Sequence, residues 1–314
     1  MINVLKAALL SGALAVMAVA QTGTGSSGNS TPQAEPQKQT EPQPSPATPA
    51  TPATGQTTSS TEPAQTPAPV IKRQPQAKTQ DEYKAYLDAA AKPDPASLEQ
   101  AANDFAAKYP TSELRSVLFQ REMSMYQASN NAEKTIEAGK KVISIDPDNA
   151  AALVTVSSVM ANKTRDNDLD HDERMAEATK YANHALETID NGTGVPAGTA
   201  QDKIPLFKEL VRSMAYSSLG TVEFNKKNYP QAETYLRKSV ESAAMQPDPV
   251  TWLQLSLALD RENKYGDALQ AANKCIEIAQ NHPAGTYCVD ERDRLVKLVG
   301  PAAAQKPASD TPKP

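Results

Sequence analysis

The sequence predicts an all-α fold, a solenoid of stacked helical hairpins behind a disordered Pro- and Thr-rich segment, and three observations carry that prediction. Tyr216, Leu219, Gly220, Tyr229 and Ala232 recur as Trp252, Leu255, Ser256, Tyr265 and Ala268, each pair separated by 36 residues. A period in the mid-thirties that sets a bulky residue, a Leu and a small residue on one helix marks hairpins that must stack to bury their apolar sides. Apolar residues fall at helical spacing across residues 80–300, and no segment reads as a strand. Residues 21–79, by contrast, are Pro, Thr, Gln, Ala and Ser with almost no large apolar side chain before Val70 and Ile71, so burial cannot offset the entropy of ordering them.

The elements follow in order. Residues 81–91 and 95–109 form a first hairpin, with Tyr83, Tyr86, Leu87, Leu98, Ala102 and Phe105 at helical spacing and Pro110 ending the second helix. Residues 114–128 and 132–145 form the next, closed by Asp146-Pro147-Asp148-Asn149. Residues 150–161 and about 174–189 make a third, interrupted by a charged insertion at 162–173 and followed by a loop at Gly192, Gly194, Pro196 and Gly198. A long helix at 201–225 opens the fourth hairpin, and 249–279 carries the fifth. Residues 290–298 are the expected capping helix, because Asp290, Glu291, Arg292, Asp293, Arg294 and Lys297 give it a solvated outer face.

Residues 1–20 read as an export signal. Lys6 supplies the positive region, residues 7–19 are apolar, and Ala18-Val19-Ala20 fits the small-x-small cleavage pattern. A membrane span needs about 20 apolar residues, so membrane association is expected only where this segment stays uncleaved. The mature chain is therefore expected in the periplasm or on the extracytoplasmic face of the cell envelope. There, two nearby thiols tend to pair, and Cys275 and Cys288 are candidates for a bridge between adjacent helices; the other reading is two small buried core residues. Residues 301–314 form a Pro-containing tail like the N-terminal segment.

At this point the chain resembles the tetratricopeptide repeat family. The last repeat carries Trp252, Leu255, Ser256, Leu259, Tyr265, Ala268 and Cys275 at the family's spacings, and the one before carries Tyr216, Leu219, Gly220, Tyr229 and Ala232. Residues 135–147 resemble the second helix and closing turn of an earlier repeat, and Ala178, Ala182 and Ala185 match the small positions of another. A looser resemblance of Ala102-x-x-Phe105 and Lys108-Tyr109-Pro110 points to envelope members of the family, although no lipidation Cys follows the apolar run. The resemblance implies a right-handed solenoid over 80–300 that binds a peptide or helical segment of a protein partner along the concave inner faces of its first helices. Carried over, those faces are Gln120, Ser124 and Gln127, then Val154, Ser158 and Asn162, then Ser217, Thr221, Phe224 and Asn225, then Leu253, Leu257, Asp260 and Arg261. The competing reading is an envelope or cell-surface spacer whose Pro-rich segment is the functional part.

Composition and motifs bound the chemistry. With 37 acidic against 32 basic residues and a net charge of -5, the chain has no basic field for nucleic acid. It holds no Gly-rich phosphate loop, nucleophile elbow or metalloprotease motif. The expectation is a non-enzymatic protein-binding scaffold with no cofactor, no small-molecule substrate and no nucleic-acid partner. Asp166, Asp168, Asp170 and Asp172 alternate, with Glu177 beyond them, a spacing that resembles a calcium loop. His171 stands where that loop needs Gly and Glu173 where it needs an apolar anchor, so a charged solvated loop is the preferred reading and no metal is expected.

Overall fold

The structure, a computed structural model, describes residues 72–243 and 247–300. The expected export signal, the Pro- and Thr-rich residues up to 71 and the tail at 301–314 lie outside the described residues. Among the described residues there are eleven α-helices, one 3-10 helix and no strand. They pair as hairpins: α1 (Gln80–Ala90) with α2 (Pro95–Lys108), α3 (Leu114–Ala128) with α4 (Ala132–Ile145), and α5 (Ala150–Lys163) with α6 (His171–Asn191). The 3-10 turn Gln201–Lys203 then leads into α7 (Ile204–Asn225), which pairs with α8 (Tyr229–Ser242). Last come α9 (Pro249–Arg261) with α10 (Tyr265–Ala279), and the cap α11 (Ala284–Val299).

Local chemistry sets the helix ends. Thr79, Asp94, Asn131, Asn149 and Asp248 each accept a hydrogen bond from a backbone N–H of the first turn that follows, which satisfies donors that no helix can satisfy itself. Three hairpin turns are built alike. After α3, α7 and α9, the amides of Asn131, Asn228 and Lys264 reach back to the carbonyls of Tyr126, Glu223 and Leu259. Asn130, Lys227 and Asn263 stand between them at φ of 58°, 64° and 61°. This is the Schellman arrangement, which needs one left-handed residue per turn. Asn tolerates that conformation, whereas Lys at 227 is strained.

The helices of the last three hairpins touch at small residues. Ser256 Oγ donates to the Ala268 carbonyl at 2.8 Å, and Ser157 Oγ donates to the Ala178 carbonyl at 2.8 Å. These partners are 12 and 21 residues apart, so the third hairpin is the fifth with nine extra residues in its turn. At Gly220, which occupies the corresponding place, an added Cβ would stand 2.6 Å from Leu236 Cγ. Ala89, Leu98, Phe105, Leu118 and Met123 form the apolar core at one end of the stack, and Leu255, Leu259, Leu269 and Leu295 that at the other.

The structure departs from the sequence reading in four places. Residues 72–79 are ordered against the helices rather than part of the disordered segment: Lys72 pairs with Asp146 at 2.6 Å, Arg73 with Glu113, and Ala77 packs on the first core. A Thr79/Glu82 capping box fixes this segment, with Glu82 Oε2 accepting from the Lys78 N–H at 2.7 Å. The acidic insertion is shorter than expected, because α5 runs to Lys163 and α6 starts at His171. The helix expected from 201 has a 3-10 first turn, and the cap starts six residues earlier than expected, at Ala284. That earlier start places Cys288 inside α11, where it is disulfide-bonded to Cys275 of α10, with both residues fully buried.

Two outcomes follow. Lys227→Gly relieves the left-handed strain by about 1 kcal/mol, so the thermal midpoint should rise by about 2–4 °C in calorimetry. The bridge closes a short loop, which is worth about 3 kcal/mol. A Cys275→Ala/Cys288→Ala variant should therefore show faster hydrogen exchange along α11 while α3 to α6 stay as protected as in the parent chain.

Candidate protein-interaction face

The first helix of each hairpin lines the inner side of the stack, but the face expected to be a trough is largely closed. Twelve of the fourteen residues of α5 are buried. Val154, expected on the groove, is 2% exposed and packs with Ile204, Phe207 and Val211 of α7. Its position is covered because α7 is 22 residues long, whereas α3, α5 and α9 have 13 to 15, and its added first turns lie over α5.

Polar residues of three successive first helices bond to one another. Gln254 Nε2 on α9 donates to Thr221 Oγ1 on α7 at 3.1 Å and to Asn162 Oδ1 on α5 at 3.4 Å. Asn162 Nδ2 donates to the Ser158 carbonyl at 2.8 Å, Asn225 Nδ2 to the Ala161 carbonyl at 3.1 Å, and the hydroxyls of Ser217 and Thr251 meet at 3.3 Å. Asn162 and Thr221 are 9% and 6% exposed. These side chains act first as a seam between helices, since a buried amide left unbonded costs about 1–3 kcal/mol.

The expected face residues therefore separate into groups. Val154 and Leu253 are core, and Leu253, 1% exposed, packs with Cys275 of α10 and with Ala284 and Cys288 of α11. Gln127, Asn162, Thr221, Ser217 and Asn225 are buried or half-buried, the last four as members of the seam. Gln120, Ser124 and Ser158 are half-exposed, with Ser124 Oγ bonded to the Gln120 carbonyl. At the other end, Phe224 is half-buried edge-on to Tyr229, Leu257 is half-exposed, Asp260 pairs with Arg294 of the cap, and Arg261 is exposed. Sequence reasoning missed Gln254 and Thr251. One residue turns a helix by about 100°, so the register that placed Leu253 on the face passed over Gln254, although Gln254, Leu257 and Arg261 form an i, i+3, i+7 stripe.

On the opposite side of α3 lies a charged cluster. Glu122 is fully buried, Lys141 of α4 approaches it at 3.3 Å and also contacts Asn103 of α2, and Glu122 Oε2 has no hydrogen-bond partner. Burial pushes the Glu122 carboxyl above the usual range, and the Lys141 cation offsets only part of this. Nearby Glu99 is held below its usual range by Lys134 and by the Tyr126 hydroxyl, which itself is pushed up to about 12 by burial and by Glu99.

The alternating carboxylates of the insertion do not converge. Asp168 accepts from the Arg165 N–H, Asp170 pairs with Arg174 at 2.6 Å, and Glu177 pairs with Lys140 at 2.7 Å. Among the described residues no group of three His, Cys, Asp or Glu side chains is placed to hold a metal ion, and no helix there is long and apolar enough to cross a membrane.

Stacked helical hairpins, three of them closed by a small-residue contact, define a helical repeat architecture. One of these hairpins is recognisable by sequence: residues 250–282, spanning α9 and α10, match the tetratricopeptide repeat family model. Tetratricopeptide repeats generally mediate contacts between proteins, and the match at α9 and α10 supports a protein–protein interaction scaffold. No curated protein matches the chain significantly.

Glu122 supplies a test of the cluster. A carboxyl whose pKa is raised by folding contributes most below its unfolded value and loses that contribution as pH rises through the folded one. Glu122→Gln is thus expected to stabilise the chain by about 1 kcal/mol at pH 8 and by less at pH 4, read from urea midpoints across that interval.

Proposed function

We propose that the chain is an exported, non-enzymatic scaffold of the cell envelope that holds an extended or helical segment of a protein partner on the open, C-terminal end of its inner face. The tetratricopeptide match at residues 250–282 carries the reading, because the half-exposed Leu257 and the exposed Arg261 stand on the first helix of that repeat. Upstream the seam and the long α7 cover the equivalent positions, so the partner contacts Leu257, Arg261, Phe224 and the outer edge of Asn225 rather than a continuous trough. Such a surface offers shallow apolar contact with polar flanks, suited to a helix or extended peptide. The Cys275–Cys288 bridge supports export, since disulfides persist in oxidising compartments and are rare in the cytosol.

The reading is tested with the full chain and a Leu257→Glu/Arg261→Glu variant, both checked for unchanged helicity and thermal midpoint. Partners identified by pulldown from envelope extract should bind the parent at least tenfold more tightly than the variant in a titration with purified components. Equal affinity would move the binding surface elsewhere on the chain.

A further inference from the structure

Residues 72–78 form no helix or strand and lie along one edge of the stack before α1 begins. This edge is where the second helix of one hairpin passes to the first helix of the next, and the segment meets three such junctions. Lys78 Nζ donates to Thr111 Oγ1 at 3.1 Å and Arg73 pairs with Glu113, both at the α2–α3 junction. Lys72 pairs with Asp146 at the α4–α5 junction at 2.6 Å. The Gln74 side chain lies over Gly198 in the α6–α7 loop, where an added Cβ would stand 2.2 Å from Gln74 Nε2. Pro75 and Ala77 border a shallow open depression with Tyr83 and Leu114, and Tyr83 stays 52% exposed.

The character of these contacts decides what the segment can do. Ala77 packs against the first core and Lys78 is held at Glu82 and Thr111; the N-terminal part, before Pro75, is held by the Gln74 contact at Gly198 and by two ion pairs that water reaches, with side chains 31% and 31% exposed in one and 67% and 44% in the other. Exposed pairs of this kind hold weakly and weaken further with salt. What the edge meets is two adjacent cations with a proline two positions after the second, Lys72, Arg73 and Pro75, held at acidic junctions by contacts that a similar segment could make in their place.

We propose that this edge is a docking track for an extended partner segment with a cation doublet followed by proline, kept filled in the resting chain by Lys72–Lys78 and bound by displacement of that strap. The surface is distinct from the inner face at Leu257 and Arg261, so either assignment stands without the other.

The probe is a labelled peptide of residues 70–79, titrated by fluorescence anisotropy into the full chain and into its Lys72→Glu/Arg73→Glu variant. The variant, its strap loosened, should bind the peptide at least tenfold more tightly than the parent, and affinity should fall several-fold between 50 and 300 mM salt. Adding Glu113→Lys and Asp146→Lys to that variant should abolish binding. In the parent chain, excess unlabelled peptide should speed hydrogen exchange across residues 73–79 without changing exchange in α9 and α10. Equal affinity for parent and strap variant, binding that survives the Glu113 and Asp146 changes, or unchanged exchange of the strap would each overturn the proposal.

Discussion

The last three hairpins of the stack depend on how closely their two helices approach. Where Ser256 meets Ala268 and Ser157 meets Ala178, the side chains at the crossing are short enough for a hydroxyl to bond directly to a main-chain carbonyl of the other helix. At Gly220 even a methyl would collide with Leu236, which is fully buried. A larger residue at these positions would push the helices apart and open voids around Leu236, Leu255 and Leu259, and cores packed to crystal density do not tolerate such voids. The same closeness keeps the apolar sides of these hairpins packed together, so the core from α5 to α10 depends on small residues at 157, 220 and 256.

Closure of the inner face is a second consequence, and it comes from length rather than from side-chain type. Because α7 is longer than the other first helices, Ile204, Phe207 and Val211 reach Leu153 and Val154. Burying each such side chain is worth about 1.5–3 kcal/mol, more than a row of solvated polar groups along α5 could contribute. Once α7 lies there, Asn162, Thr221 and Gln254 face one another in a tight space and must bond among themselves. What would have been a recognition surface becomes a seam, and the open part of the face moves to Leu257 and Arg261.

Sequence periodicity revealed the helices and their pairing, because apolar spacing and the small positions at 220 and 256 are local properties of the chain. Helix ends were legible where a Pro or a capping residue marked them, as at Pro110 and Asn149. What could not be read was which side of a helix a neighbour would cover. Leu253 and Ser217 stand 36 residues apart in equivalent places, yet one lies under the cap and the other against α9, because only the last repeat has α11 beyond it. The strap was invisible for a related reason. Its composition matches the Pro-rich residues before it, and only the junctions at Glu113 and Asp146, distant in sequence, give Lys72 and Arg73 something to hold.

The two ends of the stack are closed by unlike means. At the C-terminal end α11 is joined covalently through Cys275 and Cys288, held again by Arg294 on Asp260, and seated through Leu295. At the N-terminal end the closure is a strap whose exposed ion pairs are worth about 0–1 kcal/mol each, over a helix that leaves Tyr83 and Leu87 about half exposed. A repeat stack frays from its least constrained end, so opening starts at α1 and not at α11. Release of the strap would uncover the acidic junctions at Glu113 and Asp146 without disturbing the C-terminal core, whereas the face at Leu257 and Arg261 stands on a helix packed beside the bridged cap. One end is held by a disulfide together with an ion pair and the buried Leu295, the other by Ala77, a capping box and two ion pairs that water reaches, so the two ends differ in how firmly they are closed.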